Sequence, residues 1–264
     1  MFTINDFNKF KQAQRKITMV STYDYFSAKL VEDAGIDTIL VGDSLGITFA
    51  GNNNTLAVSI DHIIYHTNAV KNGAPNTFII ADMPYLSYHI APDETVRNAG
   101  RIIQETNAHA VKVEVNNIST FAHIQALIEA QIPVIGHIGL TPQSVNLFGG
   151  YKVQGNQKEV ADKIIGFAKK LEQIGVHAIV LECIPAELAK MITEQISIPS
   201  IGIGAGSGCD GQVLLFYDLL GFDPNNKLRF VKQYANAHEY FVSGLKKFSA
   251  EVVDGSFPDS SHAY

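Results

Sequence analysis

The chain is poor in several things, and each shortage removes a class of protein. It has two cysteines among 264 residues, Cys183 and Cys209, and both follow strand-like runs. They have neither CxxC spacing nor a disulfide framework, so a reduced, cytoplasmic setting is expected. No stretch of about 20 unbroken apolar residues is present, so no membrane-spanning helix is expected. The amino terminus, MFTINDFNKFKQAQRK, lacks an apolar signal core. It contains Asp6 and reads as a polar helix leading into a strand, not as a signal or transit peptide. Charged residues make up only 17 %, acidic ones outnumber basic ones by 26 to 20, and no Lys/Arg cluster suits nucleic acid. Low-complexity segments and Pro/Ser-rich linkers are also missing, so one domain over 1–264 is the economical expectation.

What is present is an alternation. Apolar β-type runs cover 17–23, 38–43, 78–84, 110–115, 133–139, 178–183, 199–204 and 212–216. The last is the weakest, because its apolar run could equally start a helix. Helical patterns fit 24–34, 60–73, 92–107, 119–130, 157–174 and 185–196. In 60–73, Ile60, Ile63, Ile64, Thr67 and Val70 share a face, and Ser59 is placed to cap. Pro92 suits the first turn of the next helix. Strand–helix alternation implies a parallel sheet, and eight strands in a chain near roughly 250 residues suit a single (β/α)8 TIM barrel. The longest irregular pieces, 44–58 and 140–156, would lie at the barrel mouth. The tail after about 245 is polar and is expected to be loosely ordered or to cover a neighbour.

Five polar residues stand where apolar runs end: Asp43, Asp82, Glu114, His137 and Glu182. Buried parallel strands have little use for charge inside the run, and in a barrel their carboxyl ends converge on one mouth. Each carboxylate alone could cap a helix or pair with a cation. Three in succession, Asp43, Asp82 and Glu114, favour a shared centre for a hard cation such as Mg²⁺ over Zn²⁺. Lys112 and Glu114 are two apart and face the same way, either as substrate grip and metal ligand or as a buried ion pair. Glu182, across the ring from the second strand, is a candidate general base, or else a cap for the helix at Pro185. His137 is either a substrate contact or a satisfied core histidine.

Other motifs are weaker. GSGCDG at 206–211 matches GxGxxG formally but comes too late for a dinucleotide fold. The GIGAGSG run around it could hold a phosphate or make a tight turn. His62 and His66 have HxxxH spacing without the glutamate of zinc proteases, and a solvent or interface face is expected for both.

The ordered segments STYDYFSAKLVEDAGID, VGDSLG, TLAVSIDHIIYHT, ADMPY, VKVE, GHIGLTPQ, GGYKVQG, VLECIPAELA and IPSIGIGAGSGCDGQVL carry a further signal. With them the chain resembles the ketopantoate hydroxymethyltransferase family from before residue 20 to the tail. The resemblance implies a barrel of the phosphoenolpyruvate/pyruvate-binding type. It implies transfer of a hydroxymethyl group from 5,10-methylenetetrahydrofolate to 3-methyl-2-oxobutanoate, giving 2-dehydropantoate for pantothenate and coenzyme A synthesis. Carried over by motif, Asp43, Asp82 and Glu114 would bind Mg²⁺. Asp43, Ser44, Asp82 and Lys112 would contact the keto acid, and Glu182 would be the proton acceptor. The metal would act as Lewis acid on the keto oxygen and favour an enolate. A homodecamer is also implied. One departure is Val115–Asn116 where the family usually has Gly-Gly, so the loop after strand four is expected to differ in shape.

The rival enzyme reading is a Mg²⁺-dependent lyase of the phosphoenolpyruvate mutase/isocitrate lyase type. Such lyases typically need a Cys or similar acid on an active-site loop, and neither 44–58 nor 140–156 contains a Cys. A catalytically dead, metabolite-binding barrel would have no need of an intact carboxylate set.

Overall fold

The computed structural model describes residues 2–226 and 228–264, and these form two compact units, one ending at Leu215 and the other Phe216–Tyr264. In the first, eight parallel strands close in sequence order, with β1 (Ile17–Ser21) paired to both β2 (Thr38–Val41) and β8 (Gly211–Leu215). Between them lie β3 (Phe78–Asp82), β4 (Ala110–Glu114), β5 (Val134–Gly139), β6 (Ala178–Glu182) and β7 (Ser200–Ile203). All eight expected strands are present, and the weak one at 212–216 is β8. Every residue of β2, β3, β4 and β7 is buried, as strands covered on both faces must be.

The helices follow from local signals. After α1 (Asp6–Gln12), α2 (Tyr25–Asp33) starts at Asp24, whose carboxylate accepts from Phe26 N and Ser27 N. A short α3 (Leu45–Thr48) follows β2, and α4 (Ile60–Gly73) begins at Ser59 in a capping box with His62. Pro92 opens α5 (Pro92–Thr106), which ends at left-handed Asn107. The ring continues through α6 (Thr120–Glu129), short α7 (Val145–Phe148), α8 (Lys158–Ile174) and α9 (Ala186–Gln195). Successive long helices pack on each other around the barrel. No helix of the described residues is long and apolar enough to cross a membrane.

One expectation needs correction. His66 is buried, not on an outer face, and its Nδ1 lies 2.7 Å from the Tyr23 carbonyl oxygen. Its partner in the motif, His62, is exposed and spends its Nδ1 on the Ser59 N–H. The GIGAGSG turn packs tightly: a Cβ on Gly206 would stand 2.4 Å from Ala186 Cβ, and one on Gly208 2.8 Å from Lys190 Cβ. Val115 and Asn116 are not among the residues of positive φ, so the loop after β4 needs no glycine there.

The second unit contains α10 (Phe216–Leu219) and α11 (Ala237–Asp254). The tail after 245 is therefore helical as far as Asp254. The polar end of the chain masked it, because the apolar residues of this stretch, Leu245, Phe248, Val252 and Val253, are exposed and only Ala237 of the helix is buried. Phe216, Tyr217, Phe222 and Phe241 form a chain of ring contacts, with Phe222 and Phe241 centroids 5.5 Å apart.

Candidate active site

Register assembles the site. Pairing aligns Asp82 with Lys112, Glu114 with His137, and Gly139 with Glu182. Aligned residues on neighbouring strands point the same way, and every second residue returns to that face. Asp82, Lys112, Glu114, His137 and Glu182 therefore share one face, at the carboxyl ends of β3 to β6. Asp43 joins them from just beyond β2. All but Glu182 are buried.

The contacts form a continuous network. Lys112 Nζ stands 2.8 Å from Asp82 Oδ1 and 3.3 Å from His137 Nδ1. Asp82 Oδ2 accepts from the Asp43 backbone N–H at 2.8 Å. An ammonium can only donate, so His137 Nδ1 is the acceptor and Nε2 carries the proton. That Nε2 lies 3.2 Å from Glu182 Oε2, though out of line for a good hydrogen bond. Burial, then the nearby Lys112 charge, pushes His137 below the usual imidazole range, so the neutral ring presents its Nε2–H toward Glu182 without a formed hydrogen bond, and the two are not an ion pair. Glu182 does not cap α9, whose first residue has no side-chain cap. Ser44 Oγ meets the hydroxyl of fully buried Tyr23 at 2.6 Å.

The centre is too negative for its depth. Burial, then Asp82, raises the Asp43 carboxyl to about 7. Burial, then Asp43, pushes Glu114 well above the carboxylate range. Burial alone would depress Lys112, but Asp82, Glu114 and Asp43 overcome it and raise the ammonium. Three carboxylates face one ammonium, so a divalent cation would balance them. Asp82 Oδ1 and Glu114 Oε1 are buried without an aligned hydrogen bond, and both are hard oxygen donors. The residues fit such an ion in charge and chemistry. They do not stand as a ready three-ligand cage: among the described residues no three His, Cys, Asp or Glu side chains cluster to hold one. Lys112 Nζ stands against Asp82 Oδ1, and neutral donors take one oxygen each of Asp43 and Glu114.

Sequence reasoning missed two contributors. Gln143, on the 3-10 turn Pro142–Ser144 after β5, donates Nε2 to Asp43 Oδ2 at 2.8 Å and its backbone N–H to Glu114 Oε2 at 3.0 Å. Tyr88 donates its hydroxyl to Gln143 Oε1 at 2.7 Å. A neutral amide in a loop carries no charge signal. Asn116, in the departing Val-Asn pair, reaches the same turn through its amide on Ser144 Oγ.

A closed (β/α)8 barrel with buried carboxylates, an ammonium and an imidazole at its carboxyl-end mouth defines an α/β-barrel enzyme. The comparisons with known proteins narrow the class. The model of the family described as ketopantoate hydroxymethyltransferase matches residues 1–260. The 3-methyl-2-oxobutanoate hydroxymethyltransferase of Clostridium botulinum (strain Alaska E43 / Type E3) is 50% identical over 262 residues, 99% of this chain and 95% of that protein. The protein of the same name from Bacillus cereus (strain AH187) is 49% identical over 264 residues, 100% of this chain and 95% of its own. The chain belongs to the ketopantoate hydroxymethyltransferase family. Solved structures with the same fold include a 2,3-dimethylmalate lyase of the PEP mutase/isocitrate lyase superfamily (TM-score 0.62, 14% identity, 100% of this chain and 93% of that one). A phosphonopyruvate hydrolase in complex with oxalate and Mg²⁺ is another (TM-score 0.63, 14% identity, 99% and 93% covered). At that identity the likeness shows the barrel alone.

Proposed function

We propose that this chain transfers a hydroxymethyl group from 5,10-methylenetetrahydrofolate to 3-methyl-2-oxobutanoate, giving 2-dehydropantoate for pantothenate and coenzyme A synthesis. The observation that carries it is the row Asp82–Lys112–His137–Glu182 on one barrel face, in a chain half identical to relatives of that name. Asp43, Asp82 and Glu114 would hold Mg²⁺. When bound, the ion would supply Lewis-acid polarisation of the keto group.

The protein's own groups divide the remaining work. Lys112 has three donors, stands against Asp82 and His137, and would turn a donor to the substrate carboxylate. Asp43 is close enough to raise the ammonium, and Asp43 and Ser44 would contact the keto acid. Glu182 is the more open carboxylate and accepts the C3 proton at Oε2, while the His137 Nε2–H steadies its charge. The C3 electron pair then bonds to the one-carbon unit, whose two C–N bonds to the folate break; water supplies the hydroxyl, and its other proton and the one held by Glu182 go to the two nitrogens of the departing tetrahydrofolate. The two free thiols suit a reducing, cytoplasmic setting. A homodecamer is the assembly that the family resemblance implies; association itself is supported by the exposed apolar residues of α11, Tyr240, Phe241, Leu245, Phe248, Val252 and Val253.

Product analysis tests the reading. The protein, incubated with 3-methyl-2-oxobutanoate, methylenetetrahydrofolate and Mg²⁺, should form 2-dehydropantoate and tetrahydrofolate. Cleavage of a keto acid without use of folate would overturn it in favour of a lyase.

A further inference from the structure

We infer that Gln143 is a positioning residue of the acidic centre, holding Asp43 and Glu114 in the orientation that takes up a divalent cation, with Tyr88 anchoring its amide oxygen. The inference rests on the metal reading above.

Gln143 is buried, and every polar group of its side chain is used. Its two Nε2 protons go to Asp43 Oδ2 at 2.8 Å and to the Met83 carbonyl at 2.9 Å, and Oε1 accepts from Tyr88 at 2.7 Å. The amide direction follows from the partners. Its nitrogen faces two atoms that can only accept; the flipped amide would set Oε1 against a carboxylate and a carbonyl. The backbone N–H of the same residue holds Glu114 Oε2, which leaves Glu114 Oε1 without a hydrogen-bond partner. One residue thus takes one oxygen from each of two carboxylates that flank β3.

The turn beneath it is held as well. Ser144 N bonds the Thr141 carbonyl at 2.8 Å, and Ser144 Oγ accepts from Thr141 Oγ1 at 3.0 Å and from the Asn116 amide. Residue type matters here. A lysine or arginine would bring a cation that competes with the metal, and a glutamate would add repulsion against Asp43. A neutral amide orients both carboxylates while leaving their charge available, as outer partners of metal ligands do.

The test is Mn²⁺ titration of the metal-free protein without substrates, following free Mn²⁺ by electron paramagnetic resonance. Tyr88→Phe removes one hydroxyl and lets the amide turn; Gln143→Met removes both side-chain donors and keeps the backbone bond. Mn²⁺ affinity should fall about tenfold or more in Gln143→Met and by a smaller factor in Tyr88→Phe. KM for the folate should stay within about twofold of wild type, because neither residue is assigned to its pocket. Folded variants that bind Mn²⁺ as tightly as wild type overturn the inference while leaving the metal reading intact. If Gln143→Met does not fold, Tyr88→Phe decides alone: unchanged affinity overturns the inference. A wild type that takes up no Mn²⁺ overturns the metal reading, and this inference with it.

Discussion

Glu182 and Lys112 make different demands on the same small volume. Glu182 is the base in the proposed reaction, and proton removal precedes any use of folate. Wild type in heavy water with the keto acid and Mg²⁺ should therefore exchange the C3 hydrogen, visible by proton NMR. Glu182→Gln keeps the shape and should slow exchange about a hundredfold or more, with keto-acid binding by calorimetry near normal. Equal exchange would move the role to another group. Lys112 is the ammonium among Asp43, Asp82 and Glu114, so the long stem is not its main contribution. Lys112→Met leaves buried carboxylates uncompensated and should destabilise the metal-free protein by about 3 kcal/mol or more in denaturant melts near pH 8. It should also raise KM for the keto acid far more than for the folate. At this scale the charged residues were legible, because a charge ending an apolar run is conspicuous. Gln143 and Tyr88 were not, because neutral polar residues look alike in a site and in a loop.

Strand ends and turns set where these groups point. Gly139 closes β5 at φ +99, and a Cβ there would lie 2.3 Å from the Glu182 carbonyl oxygen. Leu140 N donates to that same oxygen at 2.8 Å. Gly139→Ala should cost about 1–3 kcal/mol and, by displacing Glu182, lower kcat more than it raises either KM. Unchanged kcat with lowered stability would confine Gly139 to scaffolding. At the opposite ends of the strands, His109 Nδ1 accepts from Ile79 N at 2.9 Å, and its ring stacks on Phe78. Burial, then Lys71, lowers its pKa from the ordinary 6.5. The unfolded chain thus takes up this proton more readily than the folded one. Its stabilising effect is complete above about 6.5 and is lost as pH falls through the lower folded value. Melting temperature should fall between pH 7.5 and 5.5. His109→Phe should melt lower at pH 7.5 but show a flatter dependence; an equally steep one would assign the loss to other groups. Element identities were legible because periodicity and caps are local: Ser59 and Pro92 open the helices they were expected to open. His66 was misplaced because spacing does not say which face of α4 is covered. It lies on the same face as Ile63 and Val70, against the Tyr23 carbonyl.

Within the second unit, α11 carries several exposed apolar side chains: Val253 is 85% exposed and Tyr240 76%. Monomers rarely leave so much apolar surface uncovered, so the proposed decamer should appear by analytical ultracentrifugation at about ten times 28.8 kDa. Val253→Glu together with Leu245→Glu should shift the population to smaller species without removing the barrel's circular dichroism. An unaltered sedimentation profile would place the contact elsewhere. The number and order of strands, the helices between them and the charged strand ends were determined by the sequence by itself, because alternation, burial pattern and capping act over a few residues. Which oxygen meets which donor was decided by the tertiary structure. Register across three strands sets Asp82 against Lys112 and Glu114 against His137, and barrel closure carries Gln143 to Asp43 across 100 residues of chain. A hydrogen bond depends on ångström-scale placement of distant backbone, and no local pattern of residues encodes that.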